Sequence, residues 1–154
     1  VQTIVTPTAD RMRSSLLSHF PDADWTIMAA AVGDVRPAEY SSDKIPKRSL
    51  PSALPLEPVP DILAELGTRK QPHQRLVGFA AQTGDIEAPA LAKLQGKNLD
   101  AIVANPVDRP EAGFGSDTNR AVFLSAGRDR SELSPRRKLR LAHDLLDLIA
   151  TNFN

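Results

Sequence analysis

The sequence predicts an α/β domain built as a three-layer, Rossmann-like, mostly parallel sheet. Three short apolar segments, residues 25–31, 76–81 and 101–104, have the continuous hydrophobic character of strands that are buried on both faces. Segments with helical periodicity separate them, and this alternation is typical of a parallel sheet that is covered by helices. A chain of 154 residues with 41% hydrophobic residues is long enough to form one such domain.

The first part of the chain predicts a strand, a helix and a second strand. Residues 1–5 are rich in β-branched side chains and precede a Thr-Pro pair, which indicates a short strand. Apolar residues then recur at helical spacing over residues 9–20, with Thr8 as the N-cap. Residues 25–31 are the next strand. Residues 32–52 have no periodicity, and we expect a long, mobile loop there.

The remaining elements are predicted from the positions of Pro and Gly and from the periodicity of apolar residues. Residues 53–56 are compatible with a short strand, and Pro60 with Asp61 predicts a helix that ends at Gly67. Pro89 restricts the next helix to a start close to itself. The predicted order is then a strand at 76–81, a helix at 86–97, strands at 101–104 and 121–124, and a closing helix at 138–153.

Charge and composition exclude several classes of protein. Lys+Arg and Asp+Glu number 19 each, so the chain has no net field that would attract nucleic acid or an anionic membrane. No apolar run approaches the roughly 20 residues that a membrane-spanning helix needs. The absence of cysteine excludes disulfides and thiolate metal sites. We therefore expect a cytoplasmic domain that has neither nucleic-acid nor membrane partners.

Residues at the predicted strand ends are candidates for ligand contacts, because open α/β sheets bind ligands beyond the carboxyl ends of their strands. The small residues 29–31 would let the backbone approach a flat ligand, and Asp34 could accept a hydrogen bond from it. Asp34 could equally cap an ordinary loop. Phe79, at the end of another strand, could stack on a base or belong to the core.

Two groups of cations could bind a polyphosphate. Lys44, Lys47 and Arg48 lie in the long loop, and Lys93 and Lys97 lie four residues apart on one face of a predicted helix. Clustered cations neutralise charge that develops on phosphate oxygens. The alternatives are a solvated loop and an exposed lysine pair. The glycine fingerprint of dinucleotide-binding dehydrogenases is absent, which disfavours that class.

Taken in order, these segments resemble one family, that of the phosphopantothenate–cysteine ligases. The ordered set covers almost the whole chain, although no single motif is decisive. The matches are AAAVGDVRP at 29–37 to the family's AAAVADYRP, KIPK at 44–47 to KIKK, VPDI at 59–62 to NPDI, VGFAAQT at 77–83 to VGFAAET, Lys93 with KNLD at 97–100 to its lysine pair and NLD, DAIVAN at 100–105 to DLIVAN, and GFGSDTN at 113–119 to GFGSDxN.

The resemblance implies an activity in coenzyme A biosynthesis. The family's ligases couple cysteine to 4′-phosphopantothenate with CTP as cosubstrate and Mg²⁺ as cofactor, through an acyl-cytidylate intermediate. In bacteria the ligase is usually the C-terminal half of a bifunctional protein, and FMN belongs to the decarboxylase domain fused upstream of it. The resemblance also implies a homodimer.

The same resemblance implies roles for individual residues. Lys44 would act in catalysis and close on the nucleotide, while Lys93 and Lys97 would hold phosphate oxygens. Asp34 and Phe79 would contact the nucleotide. The remaining implied contacts are Met28, Ala29 and Ala30 at a strand end, and Val59, Pro60, Asp61 and Ile62 at a helix N-terminus. The metal ligands stay unassigned.

The chain also departs from the family's pattern. Val59, Pro46 and Gln82 replace an Asn, a Lys and a Glu. The family's GGTxExxDxVRxxxN and SSGxxG segments do not occur here, so we expect residues 1–154 to be the C-terminal part of a ligase domain that lacks its N-terminal part. A non-catalytic nucleotide-binding or dimerisation fragment is the main alternative, and a purely structural α/β domain is another.

Overall fold

A computed structural model describes residues 1–108 and 117–153. Within these ranges, helices and strands alternate over most of the chain. The helices are α1 (Ala9–His19), α2 (Ile62–Arg69), α3 (Glu87–Gly96) and α4 (Lys138–Phe153). The strands are β1 (Trp25–Met28), β2 (Val35–Pro37), β3 (Leu56–Pro58), β4 (Arg75–Gln82), β5 (Ala101–Pro106), β6 (Thr118–Ser125) and β7 (Arg130–Arg137).

The described strands form a five-stranded sheet with the order β1-β4-β5-β6-β7 and a separate two-stranded ribbon, β2-β3. The β1–β4 and β4–β5 pairs are parallel, whereas the β5–β6 and β6–β7 pairs are antiparallel. Only β6 of the described sheet therefore runs against the other strands. This arrangement confirms the predicted α/β class with a mostly parallel sheet.

Helices cover both faces of the sheet, which confirms the three-layer prediction. On one face, apolar residues of α1, α2 and α3 pack against alternate residues of the strands, including Leu76, Ile102 and Val122. On the other face, α4 packs through Leu141, Leu145 and Ile149. These helical residues recur every four residues, so one stripe of α4 faces the sheet.

Gly67 does not end α2, which continues to Arg69. The reason for glycine here is a close approach between two elements. A Cβ atom at Gly67 would lie 1.9 Å from the carbonyl oxygen of Lys97, just after α3. Asn98 reinforces the contact, because its Nδ2 donates to the carbonyl of Gly67 at 2.8 Å. The glycine was correctly noticed in the sequence, but its predicted role as a helix end was wrong.

Two strand predictions near the N-terminus were also wrong. Residues 1–5 form no strand, and Val1 and Val5 are largely exposed. β-Branched residues favour extended structure only where a neighbouring strand pairs with their backbone, and no described strand pairs with this segment. β1 ends at Met28 rather than residue 31, and its Trp25 is 37% exposed because β1 lies at the edge of the sheet.

The segment predicted as a loop, residues 32–52, contains β2 and a short helical turn at Lys47–Ser49. β2 pairs with β3, which covers Leu56–Pro58 rather than residues 53–56. The short strand was placed too early because the register is set by its partner, with Val35 opposite Pro58. The mobility expected for residues 32–52 stays a prediction.

Candidate functional site

A cavity of about 290 Å³ lies at the carboxyl ends of β1 and β4. This is the edge of the sheet at which α/β domains bind ligands. The segment just before α2 and the start of that helix form a second wall, and the C-terminal end of α3 forms a third. The lining residues are Met28, Ala30, Ala31, Val32, Gly33, Asp34, Val59, Pro60, Asp61, Ile62, Leu63, Phe79, Ala80, Ala81, Lys93, Lys97 and Ile102.

The cavity brings together the predicted site residues with two exceptions. Ala29 is exposed between the lining residues Met28 and Ala30, and is not itself part of the lining. Lys44 is exposed in the segment after β2, and the structure does not bring it to the cavity. The other predicted residues converge from four separate stretches of the chain, which supports a shared role without testing it.

Asp61 is the N-cap of α2 and also the partner of a lysine. Its Oδ1 accepts from the backbone N–H of Ala64 at 3.0 Å, and its Oδ2 lies 2.7 Å from Nζ of Lys97. Partial burial raises the pKa of Asp61, but the hydrogen bond and charge of Lys97 and the backbone N–H groups of Ala64 and Leu63 outweigh it. The net pKa is below the ordinary value, so Asp61 is ionised at neutral pH.

The two lysines of α3 differ in their surroundings. The side chain of Lys97 is 27% exposed and is held by Asp61. Lys93 is exposed, and within the part of the chain that the structure describes it has no carboxylate at ion-pair distance. The cavity thus offers one free ammonium group and one that is already paired.

The loop after β1 is tied to the segment that leads into α2. The backbone N–H of Val59 donates to the carbonyl of Asp34 at 2.9 Å, while Asp34 itself is exposed. This hydrogen bond joins two walls of the cavity and places the Asp34 carboxylate at its rim.

Phe79 has a double environment. It lines the cavity, yet its half-buried side chain packs against the apolar cluster between the sheet and α4. Alternation along β4 explains this, because Leu76 and Ala80 face α2 and α3 whereas Val77 and Phe79 face α4. Phe79 is therefore partly core and partly cavity wall.

Several lining residues were not predicted individually. Ala31, Val32 and Gly33 continue the predicted strand-end segment, and Ala80 and Ala81 could have been found from the same strand-end rule. Leu63 follows the predicted helix start. Ile102 gave no signal, because nothing in the sequence distinguishes it from other residues of a buried strand.

The described residues of the cavity offer few ligands for a metal ion. Asp34 and Asp61 are its carboxylates, and nowhere in residues 1–108 and 117–153 do three or more His, Cys, Asp or Glu side chains form a metal-binding group. The predicted GFGSDTN motif falls mostly at residues 113–116, outside the described residues. None of the helices described is long and apolar enough to cross a membrane.

By its fold and candidate site, the chain is an α/β domain with an open sheet and a lysine-bearing cavity at its strand ends. Residues 1–153 match the family described as the DNA/pantothenate metabolism flavoprotein C-terminal domain. The chain therefore belongs to that family.

Relatives and solved structures agree with this assignment. The coenzyme A biosynthesis bifunctional protein CoaBC of Bacillus subtilis strain 168 is 42% identical over 139 residues, covering 90% of this chain and 34% of that protein. A cysteine/cysteine sulfinic acid decarboxylase of an unknown prokaryotic organism is 37% identical over 151 residues, covering 98% of this chain and 42% of that protein. The chain thus spans well under half the length of these relatives.

The fold is shared with a solved domain of the same kind. A crystal structure of the C-terminal domain of coenzyme A biosynthesis bifunctional protein CoaBC superimposes with a TM-score of 0.78 and 33% identity, covering 98% of this chain and 67% of that one. The DNA/pantothenate metabolism flavoprotein from Streptococcus pneumoniae has a TM-score of 0.68 at 18% identity, which supports the fold alone.

Proposed function

We propose that this chain is the nucleotide-binding part of a CTP-dependent phosphopantothenate–cysteine ligase of coenzyme A biosynthesis. The observation that carries the proposal is the convergence, in one cavity, of the strand-end segment at Met28, the capped start of α2 and the two lysines of α3. The similarity to C-terminal parts of proteins named for coenzyme A biosynthesis supports it.

The proposed reaction has two steps. A carboxylate oxygen of 4′-phosphopantothenate attacks the α-phosphorus of CTP, and the bond to the β-phosphate breaks to release pyrophosphate. The amine of cysteine then attacks the acyl carbon of the acyl-cytidylate, loses a proton to form the amide, and displaces CMP. Both steps build up negative charge on phosphate oxygens, which cations stabilise.

The residues of this chain would serve the first step by binding and orientation. Lys93 and Lys97 would neutralise the triphosphate, and the small side chains of Ala30 and Ala31 would let the backbone approach the nucleoside. Asp34 at the rim could accept from a ribose hydroxyl or a base amino group. Lys44 would take part only if its loop moved toward the cavity.

Mg²⁺ fits this site as a companion of the triphosphate, since Mg²⁺ is usually held by one or two carboxylates, substrate phosphates and water. Asp34 is the carboxylate best placed to assist, because Asp61 already pairs with Lys97. We assign FMN to a separate decarboxylase domain rather than to this cavity. We also propose a homodimer, in keeping with the apolar residues exposed on the β2–β3 ribbon, such as Val35 and Leu56.

Calorimetric titration with CTP and Mg²⁺, beside ATP and NAD, tests the proposal. We expect preferential CTP binding that Lys93→Ala weakens roughly tenfold, because a charge-assisted hydrogen bond is lost. Lys138→Ala removes the same charge from an exposed lysine outside the cavity lining and is the matched control. Tight NAD binding with indifference to CTP would contradict the proposal.

Turnover separates the ligase from the alternative of a non-catalytic nucleotide-binding fragment. Pyrophosphate release from CTP with 4′-phosphopantothenate present supports catalysis by the chain. CTP binding without pyrophosphate release favours the non-catalytic fragment.

A further inference from the structure

Lys97, directly after α3, contacts the helix α2 and its N-cap at two points. The backbone of Lys97 lies against Gly67, where a Cβ atom would be only 1.9 Å from the carbonyl oxygen of Lys97. The side chain of Lys97 reaches the other end of α2, where its ammonium lies 2.7 Å from Asp61. Thus Lys97 is held to one helix by its main chain and by its side chain.

We propose that Asp61 is a positioning residue: it acts on the bound phosphates through Lys97, by holding that ammonium inside the cavity, and makes no essential ligand contact itself. The proposal rests on the proposed function, since it assigns a second role within the same nucleotide site. It concerns how the cavity is prepared before a ligand binds.

The chemistry of the two side chains supports this role. A lysine has a flexible four-carbon stem, so an unrestrained ammonium loses considerable side-chain entropy when it binds a phosphate. Asp61 is ionised at neutral pH and is itself fixed by its hydrogen bond from Ala64. An ammonium group has three N–H donors, so Lys97 can keep its hydrogen bond to Asp61 and still donate to a phosphate oxygen.

Lys93 provides the internal comparison. It lies one helical turn earlier on α3 and lines the same cavity, but no carboxylate of the described residues restrains it. Asp61 should therefore influence the contribution of Lys97 and leave that of Lys93 unchanged.

A double-mutant cycle on CTP affinity tests the proposal, with Asp61→Asn, Lys97→Ala and the combined variant. Asn keeps a capping oxygen for α2, so the substitution removes the ion pair and spares the helix. We expect Asp61→Asn alone to weaken CTP binding a few-fold, because Lys97 is no longer held. Lys97→Ala should weaken binding roughly ten- to thirtyfold, because it removes a cation and leaves Asp61 unpaired beside the phosphates.

The combined variant decides between acting through Lys97 and touching the ligand directly. If Asp61 acts through Lys97, removing the unpaired carboxylate restores about three- to tenfold of the affinity that Lys97→Ala lost. If Asp61 itself bonds the ligand, the combined variant binds more weakly than Lys97→Ala, and the proposal is overturned. Glu132→Gln, which breaks the surface pair with Arg120, is the control for a one-unit charge change.

The rate at which a water-soluble, amine-reactive reagent acetylates each lysine tests the same proposal without any nucleotide. We expect Asp61→Asn to speed the labelling of Lys97 several-fold relative to Lys93, because an ammonium bonded to a carboxylate is shielded from the reagent. Equal labelling of Lys97 in both proteins would overturn the positioning role. Failure of the unsubstituted chain to bind CTP would instead contradict the proposed function, and the labelling would still decide whether Asp61 holds Lys97.

Discussion

Asp61 uses one carboxylate group for two contacts, and both are strongest when the group is ionised. Its two oxygens are divided between the N-terminus of α2 and the ammonium of Lys97. A capping aspartate is common, but an aspartate that caps one helix and pairs with the next couples the two helices at the cavity wall. Protonation of Asp61 would therefore weaken both contacts.

This dependence predicts an acid-sensitive contribution to stability. Asp61 has a lowered pKa in the folded chain, so the stability it adds is present above its unfolded pKa of about 4 and is lost as the pH falls through the folded value. Urea unfolding should therefore show Asp61→Asn less stable at pH 7, by at most about 1 kcal/mol for a half-exposed pair. The difference should shrink as the pH falls below the unfolded pKa and vanish once the pH lies below the lowered folded pKa. A difference that is the same at every pH would contradict this account.

The chemistry and spacing of the residues alone predicted only part of the candidate site. Helical spacing places Lys93 and Lys97 on one face, but it does not tell a phosphate site from an exposed pair. The resemblance to a family supplied the rest of the set. The pairing of Lys97 with Asp61 could not be foreseen, because it depends on how closely α2 and α3 approach, which is a property of the packed fold.

At the scale of elements, the packing of α2 on the α3–β5 turn depends on the missing side chain of Gly67. Gly67→Ala should destabilise the chain by about 1–3 kcal/mol, because the new methyl group meets backbone rather than a movable side chain. Gly96→Ala is the matched control, since a Cβ atom there meets nothing within 4 Å. The control should be neutral or more stable by up to about 1 kcal/mol, because alanine favours helix. Thermal unfolding of both variants by circular dichroism measures the difference.

The elements differ in how far the sequence could predict them, and burial explains the difference. The amphipathic pattern of α4 predicted its bounds, Lys138–Phe153, because one apolar stripe faces the sheet. β7 was not predicted, because Leu133 is its buried residue and the rest of the strand is polar and partly or fully exposed at the edge of the sheet. Pro135 is tolerated there because an edge strand has unpaired N–H positions. Residues 1–5 gave the opposite error, a strand-like composition without a partner strand.

At the scale of the whole molecule, the sheet separates the candidate cavity from the part of the core that packs against α4. α2 and α3, which carry part of the cavity lining, lie on one face, and α4 covers the other. The far end of α4 is also remote along the strands. Phe153 contacts Trp25 and Arg75, the first residues of β1 and β4, whereas the cavity lies at the carboxyl ends of the same strands.

This separation predicts that stability and ligand affinity can be changed independently. Ile149 is 1% exposed and lies one helical turn before Phe153, so Ile149→Ala should reduce the free energy of unfolding by about 2–5 kcal/mol through lost burial and a residual cavity. Leu146→Ala, at a half-exposed position of the same helix, should cost less than about 1 kcal/mol. In both variants the folded chain should bind CTP as the unsubstituted chain does, whereas Lys93→Ala should change the affinity for CTP and leave the free energy of unfolding unaffected.

Denaturant unfolding and calorimetry on the same samples measure the free energy of unfolding and the CTP affinity. Loss of CTP affinity in Ile149→Ala, under conditions where it is fully folded, would mean that α4 shapes the cavity through Phe79 rather than merely supporting the opposite face.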